Sequence, residues 1–213
     1  LPDQGTVTLS GGAKVAYLPQ NPNFSQRRTV LEQVFASSSL SRQEQREYEA
    51  KSLLNRLGIG EFDRDVTTLS GGQKKRVAIA GALLSASDIL ILDEPTNHID
   101  NAMVQWLESY LAGYKGALVM VTHDRYFLDR VTNRIVELDR GALYSYDSNY
   151  TGFLELKAQR EEMALASERK RQSLLRTELQ WVQRGPRARG TKSRYRLERY
   201  EQLSQMEGVQ QQG

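Results

Sequence analysis

The sequence predicts an α/β domain on a parallel sheet, followed by a long α-helical extension. Three observations carry that reading. Short apolar runs at Val15–Leu18, Ile89–Leu92 and Ala117–Val121 alternate with helix-like stretches, as expected of a parallel sheet, and the run at 89–92 reads as a strand buried on both faces. The second run leads directly into Asp93-Glu94, and the third is followed closely by His123. Beyond Thr151 the chain becomes dense in Glu, Lys, Arg, Gln, Leu and Ala, and no Gly or Pro interrupts it from Phe153 to Gln183.

The elements follow in order. A Gly11-Gly12 turn precedes the strand at 15–18. Residues 29–58 read as helical, with Val30, Val34 and Phe35 on one apolar face, Tyr48, Leu53, Leu54 and Leu57 on another, and Gly58 as a stop. A helix over 73–85 is entered through Ser70 and two glycines, so about 29–85 forms a helical subdomain. Helices at 102–112 and near 125–131 flank the strand at 117–121, and strands at 134–138 and 143–146 are joined through Gly141. The globule is expected over 1–150 and a basic helical linker over 151–207, with the Gln-rich 208–213 frayed.

The linker's long helix would run about 50 Å at 1.5 Å per residue, too long to pack wholly on the globule. Stepping from Leu154 through Ala158, Glu161, Leu165, Glu168, Gln172, Leu175 and Leu179 to Val182 gives a coiled-coil seam with polar interruptions. Gly185-Pro186 stops this helix, and a second one over about 191–206 completes a hairpin.

Composition narrows the function. Among 213 residues, 39% are apolar and none is cysteine, which excludes disulfides and cysteine-ligated metals. No run approaches eighteen apolar residues and no secretory signal opens the chain, so a cytoplasmic protein without a membrane partner is expected. The first residue is Leu1 rather than Met, as in a piece of a longer protein. Residues 1–150 carry 16 Lys+Arg and 18 Asp+Glu, whereas 151–213 carry 13 and 8. A near-neutral globule thus precedes a basic tail, which points to a polyanionic partner.

Three constellations carry chemistry. In Leu69-Ser70-Gly71-Gly72-Gln73, the glycines let backbone N–H groups approach a phosphate, and the helix start presents a positive dipole. At the end of 89–92, Asp93 is suited to hold Mg2+ and Glu94 to orient or deprotonate an attacking water. Both lie where open α/β sheets bind ligands. His123, one of two histidines, is placed to contact a γ-phosphate and align that water.

Taken in order these residues resemble the ABC ATPases. Gln20 looks like the Q-loop glutamine, 69–73 like the ABC signature, and 89–94 like Walker B with its catalytic glutamate. Asn97-His98-Ile99-Asp100 looks like the D-loop and His123 like the switch histidine. Glu94-Pro95-Thr96-Asn97-His98-Ile99-Asp100 is similar to the EPTNHLD stretch of ABC-F proteins, with Ile for Leu, and 122–128 is similar to their switch region. Residues 178–192 resemble the interdomain linker of the Uup-type members.

The resemblance implies ATP and Mg2+ as cofactors. Gln20 and Asp93 would serve the metal. Ser70, Gly71, Gly72, Gln73 and Asp100 would contact nucleotide, while Glu94 and His123 would be catalytic. It also implies a second ATPase domain as partner and action on the ribosome, with rRNA or tRNA met by the linker. Two other readings remain open: the ATPase subunit of a membrane transporter, and a DNA-binding ABC-F protein in genome maintenance. No G-x-x-x-x-G-K-[ST] occurs in these residues, so the phosphate cradle is missing and the chain alone is expected to be inactive.

The linker's tip is the remaining candidate site. Arg184, Arg187, Arg189, Lys192, Arg194, Arg196 and Arg199 stand against Glu198 alone between 184 and 199. Arginine suits bidentate phosphate contacts and stacking on bases, so Arg184, Arg187, Arg189, Lys192, Arg194 and Arg196 are the expected nucleic-acid contacts. Trp181 and Tyr195 flank the bend.

Overall fold

The computed structural model describes residues 4–9, 11–38, 44–183 and 194–205. The chain divides into two compact units, Leu1–Asn133 and Arg134–Gly213.

The first unit is organised by a parallel sheet. Strands β1 (Val15–Leu18), β2 (Ile89–Asp93) and β3 (Ala117–Val121) lie in the order β1-β2-β3, with Val15 opposite Ile89 and Ile89 opposite Ala117. Helices α1 (Val30–Ser38), α2 (Glu44–Arg56) and α3 (Gly71–Leu84) connect β1 to β2. Helix α4 (Asn101–Ala112) connects β2 to β3, and α5 (Arg125–Val131) follows β3. The expected helix over 29–58 is thus two helices, and Gly58 ends the second in the left-handed region at φ +68°.

Burial alternates along the strands. Leu18, Leu90 and Leu92 are buried in one apolar cluster with residues of α1, α2, α3 and α4. Val15, Tyr17, Val119 and Val121 on the alternate positions are exposed. The strand at 89–92 reads as buried on both faces; in β2 Leu90 and Leu92 are buried, while Ile89 and Ile91 are half-buried. Alternate side chains point to opposite sides of a sheet, so the apolar run is not by itself evidence of two covered faces.

The second unit opens with an antiparallel hairpin, β4 (Ile135–Asp139) and β5 (Ala142–Tyr146). Arg140 and Gly141 turn it with φ of 49° and 77°, as a two-residue turn compatible with strand twist requires. Helix α6 (Tyr150–Gln183) has 34 residues, and α7 (Arg194–Gln205) packs against it. The division at 133/134 falls ahead of the boundary near 150 read from composition. Its cause is visible in the contacts: Glu137 of β4 is ion-paired with Lys157 and Arg160 of α6, and the Tyr146 and Phe153 rings meet edge to face at 5.1 Å.

The helical hairpin packs differently from the seam read in the sequence. Leu154, Ala158, Glu161, Gln172 and Leu179 are exposed, whereas Glu168 and Glu178 are buried. Leu165, Leu175 and Val182 of the seam are half-buried, and charged groups tie α6 to α7. Arg171 bonds Glu168 and donates from Nη1 to the Leu203 carbonyl at 2.6 Å, and Arg196 bonds Glu178 at 2.8 Å. Those partners run in opposite chain directions, so α6 and α7 are antiparallel.

Candidate functional site

The parallel sheet brings the predicted residues to one edge. Gln20, Asp93 with Glu94, and His123 follow the carboxyl ends of β1, β2 and β3 respectively, the edge where open α/β sheets bind ligands.

Glu94 is the most constrained of them. It is only 4% exposed and adopts φ +48°, a left-handed conformation costing about 1–3 kcal/mol that collects at functional sites. Its N–H donates to the Val121 carbonyl at 2.8 Å, fastening it beside β3. The Thr122 hydroxyl donates to Glu94 Oε2 at 3.3 Å, and Thr122 Oγ1 accepts from the Asp124 N–H. His123 Nε2 stands 3.6 Å from Glu94 Oε1, with the rest of its ring almost wholly exposed. A buried carboxylate fixed on one oxygen and faced by an imidazole on the other can hold a water and accept its proton.

Asp93 is half-buried and Gln20 exposed. Among the described residues no group of three or more His, Cys, Asp or Glu forms a metal cage. Mg2+ usually takes one or two carboxylates plus substrate phosphates rather than such a cage, and the half-buried Asp93 carboxylate is compatible with that donor set.

Ser70 caps α3 through a capping box. Its Oγ accepts from the Gln73 N–H at 3.3 Å, and Gln73 Oε1 accepts from the Ser70 N–H at 3.0 Å. Gly71 stays exposed at the helix start. A side chain at Gly72 would lie 3.6 Å from the Cβ and carbonyl of His98, so the 69–73 turn and the 97–100 loop touch there. Asp100 caps α4, accepting from the Met103 N–H at 3.0 Å.

The tip residues divide. Arg184, Arg187, Arg189 and Lys192 lie outside the described residues. Arg194 is exposed and paired with Glu198 one turn on. Arg196 is engaged within the hairpin: its guanidinium bonds Glu178 and stacks 4.5 Å from the Trp181 ring centroid. Tyr195 is 69% exposed.

Two side chains at the site escaped the sequence reading. Thr122 lies in the 122–128 stretch, but its bond to Glu94 depends on the meeting of β2 and β3 and has no local signal. Lys75 sits in Gln73-Lys74-Lys75-Arg76, which reads as a solvated basic face, yet it is buried. The signal that could have found it is the apolar run from Val77 onward, which leaves a helix buried on most sides.

Residues 2–97 match a protein family described as ABC transporter, and residues 136–212 match a second family of the same description. An uncharacterized ABC transporter ATP-binding protein of Bacillus subtilis, YfmR, is 44% identical over 248 residues, covering 99% of this chain and 39% of that protein. The energy-dependent translational throttle protein EttA of Mycobacterium tuberculosis is 53% identical over 142 residues, covering 67% of this chain and 25% of that protein. The chain therefore spans well under half the length of these relatives. Among solved structures, an archaeal ribosome recycling factor aABCE1, in complex with ribosomal stalk protein aP1, is 33% identical with a TM-score of 0.51. It covers 68% of this chain and 28% of that one. An ATP-binding cassette dimer bound to ADP and Pi is 28% identical with a TM-score of 0.53, covering 63% of each chain.

Proposed function

The chain carries an ATPase domain of the ABC-F family, and from that premise we propose that it serves ATP hydrolysis in a longer protein acting on the ribosome. The observation that carries this reading is the buried Glu94 carboxylate between Thr122 and His123 at the carboxyl ends of β2 and β3. Glu94 orients a water and accepts its proton, and His123 stands beside that water and the terminal phosphate. Asp93 and Gln20, at the adjoining strand ends, would hold Mg2+. The metal, when bound, offsets charge on the phosphate oxygens.

Two ATPase domains share the work in this reading. Ser70, Gly71 and Gly72 present a helix N-terminus to the nucleotide held mainly by the second domain, since anions are stabilised there. Gln20, Asp93, Glu94 and His123 serve the nucleotide of this domain. Asp100 fixes the start of α4 beside the domain boundary. The 213 residues alone do not turn over ATP, because nothing in them matches the P-loop cradle that positions the β- and γ-phosphates.

The experiment is steady-state hydrolysis by the longer protein and its Glu94→Gln variant. The amide keeps size and hydrogen bonding but accepts no proton, so kcat falls on the order of 10²–10⁴-fold while nucleotide still binds. Hydrolysis at the wild-type rate would remove Glu94 from the base role.

The linker contacts rRNA or tRNA in this account, as the Uup-type reading of 178–192 implies. Its proposed contacts are Arg184, Arg187, Arg189 and Lys192, together with the exposed Arg194, which pairs with Glu198, whereas Arg196 fastens the hairpin. Replacing Arg187, Arg189 and Lys192 with Ala weakens ribosome binding and flattens its salt dependence, since fewer counterions are released. Unchanged affinity and salt slope in that triple variant would contradict the assignment, and a larger loss on branched DNA than on ribosomes would favour DNA as the partner.

A further inference from the structure

Lys75 lies on α3 two residues beyond Gln73, with 1% of its surface exposed. An ammonium group is costly to bury unless each donor finds a partner. Here the three donors find three backbone carbonyls: Pro19 at 2.8 Å, Gln20 at 3.0 Å and Asp93 at 2.8 Å. An ammonium has no further hydrogen to give, so the group is fully satisfied by main chain alone. Burial lowers its pKa, and the Asp93 and Glu94 carboxylates partly oppose that.

The acceptors are 56, 55 and 18 residues away in sequence and belong to the ends of two different strands. The Asp93 carbonyl is part of the peptide linking the metal carboxylate to the catalytic glutamate. The Gln20 carbonyl belongs to the residue that follows β1 into the Q-loop. Helix α3, whose first turn presents Ser70 and Gly71, is therefore pinned at one point to both.

We propose that Lys75 is a positioning residue for ATP hydrolysis, tying the start of the signature helix to the Gln20 and Asp93–Glu94 backbone and so setting the orientation of Gln20 and Glu94. The idea rests on the ATPase reading above and adds a link within it. Ser70 and Gly71 meet one nucleotide while Gln20 and Glu94 meet the other, so displacement of α3 on engagement of the signature turn is passed to the second site through this ammonium. Methionine, unbranched and one atom shorter, fills most of the space but leaves three carbonyls without a donor, and the two strand ends then drift relative to α3.

The test uses the longer protein with Lys75→Met, Lys75→Gln and, as control, Glu94→Gln. For Lys75→Met the expected result is a kcat reduced on the order of 10–100-fold, the range that about 1 Å of misplacement produces, with KM for ATP within about threefold. Amide exchange should quicken at residues 20–21 and 93–94 while protection in α4 and β3 is unchanged, which separates local positioning from general destabilisation. Lys75→Gln keeps two donors and should fall between Met and wild type. A folded Lys75→Met protein with wild-type kcat, or with a KM change that accounts for the whole loss, overturns the proposal. If Lys75→Met does not fold, Lys75→Gln decides: a reduced kcat at wild-type KM supports the role, and wild-type kcat removes it. Loss of hydrolysis in Glu94→Gln together with wild-type behaviour at Lys75 refutes only the positioning role. Wild-type hydrolysis in Glu94→Gln refutes the underlying assignment of the site.

Discussion

In Leu1–Asn133 the functional side chains hang from strand ends beside a large apolar cluster, whereas in Arg134–Gly213 the only buried hydrophobic residues among those described are Tyr146 and Phe153, and Glu168 and Glu178 are buried as well. The first unit places Glu94 by close packing and by backbone bonds to β3. The second fixes the register of α6 and α7 by charge: Glu168 to Arg171, Glu178 to Arg196, and Arg171 onward to the Leu203 carbonyl. The difference teaches what each unit tolerates. Apolar burial is insensitive to salt and pH but intolerant of lost volume, because interiors are close-packed. Ion pairs specify one partner at modest net stability and respond to both conditions.

The largest expected effect is a cavity in the first unit. Leu90 is fully buried on the central strand, and Leu90→Ala should cost about 2–5 kcal/mol. Denaturant titration followed by amide exchange should show β2 and α3 losing protection while α6 keeps its own. Equal loss in α6 would mean that the two units do not differ as described.

Next comes the hairpin's charge pair. Glu178→Ala strands the Arg196 guanidinium against Trp181 and should destabilise α7 packing by about 1–3 kcal/mol, since Arg196 is partly solvated. Replacing both Glu178 and Arg196 with Leu should restore most of that stability, because a buried pair is replaceable by apolar contact. Double replacement as harmful as the single change would show that the pair supplies stability rather than register.

Acidity should act on the base of α6. Glu137 resists through opposing effects: burial raises its pKa, but hydrogen bonds from Lys157 and Tyr146 and the nearby cations hold it below the usual carboxylate range. A depressed carboxyl contributes stability above its unfolded pKa and loses it as pH falls through the folded value. Lys157, raised first by its bond to Glu137, contributes below its unfolded pKa and loses that as pH rises through its folded value. Helicity near Lys157 should therefore hold through neutral pH, fray below about pH 4 and fray again in strong base. Glu137→Gln should abolish the acid limb.

The smallest effect is that of salt. Raising NaCl to about 1 M shortens the screening length to about 3 Å and should weaken the exposed pairs Arg134–Asp147 and Arg194–Glu198 by no more than a few tenths of a kcal/mol each. Unfolding of the first unit should not shift in the same direction.

The site was largely legible because its residues sit at the ends of short apolar strands, where spacing and chemistry coincide. Asp93, Glu94 and His123 fall on one edge as read, and Ser70 with Gln73 closes the capping box that a Ser-x-x-Gln sequence promises. What escaped was tertiary in origin. Lys75 is adjacent to two other cationic residues in sequence, and only the meeting of β1, β2 and α3 makes it an interior group. The hairpin was legible only in part: Leu165, Leu175 and Val182 of the seam are half-buried, but Leu154 and Leu179 are exposed, and the bonds of Arg171 to the Leu203 carbonyl and of Arg196 to Glu178 depend on a partner helix that periodicity does not show. The strand at 117–121 reads as buried, yet Val119 and Val121 are exposed.

The most direct test of the account is ATP-dependent retention of the Glu94→Gln protein on ribosomes. Purified longer protein, wild type and variant, would be sedimented with ribosomes in ATP, in ADP and without nucleotide. A carboxylate lost without loss of nucleotide contacts should leave the two domains closed on ATP, so the variant should cosediment in ATP and not in ADP, while wild type hydrolyses and dissociates. Equal retention of variant and wild type in ATP, or retention of the variant irrespective of nucleotide, would contradict it.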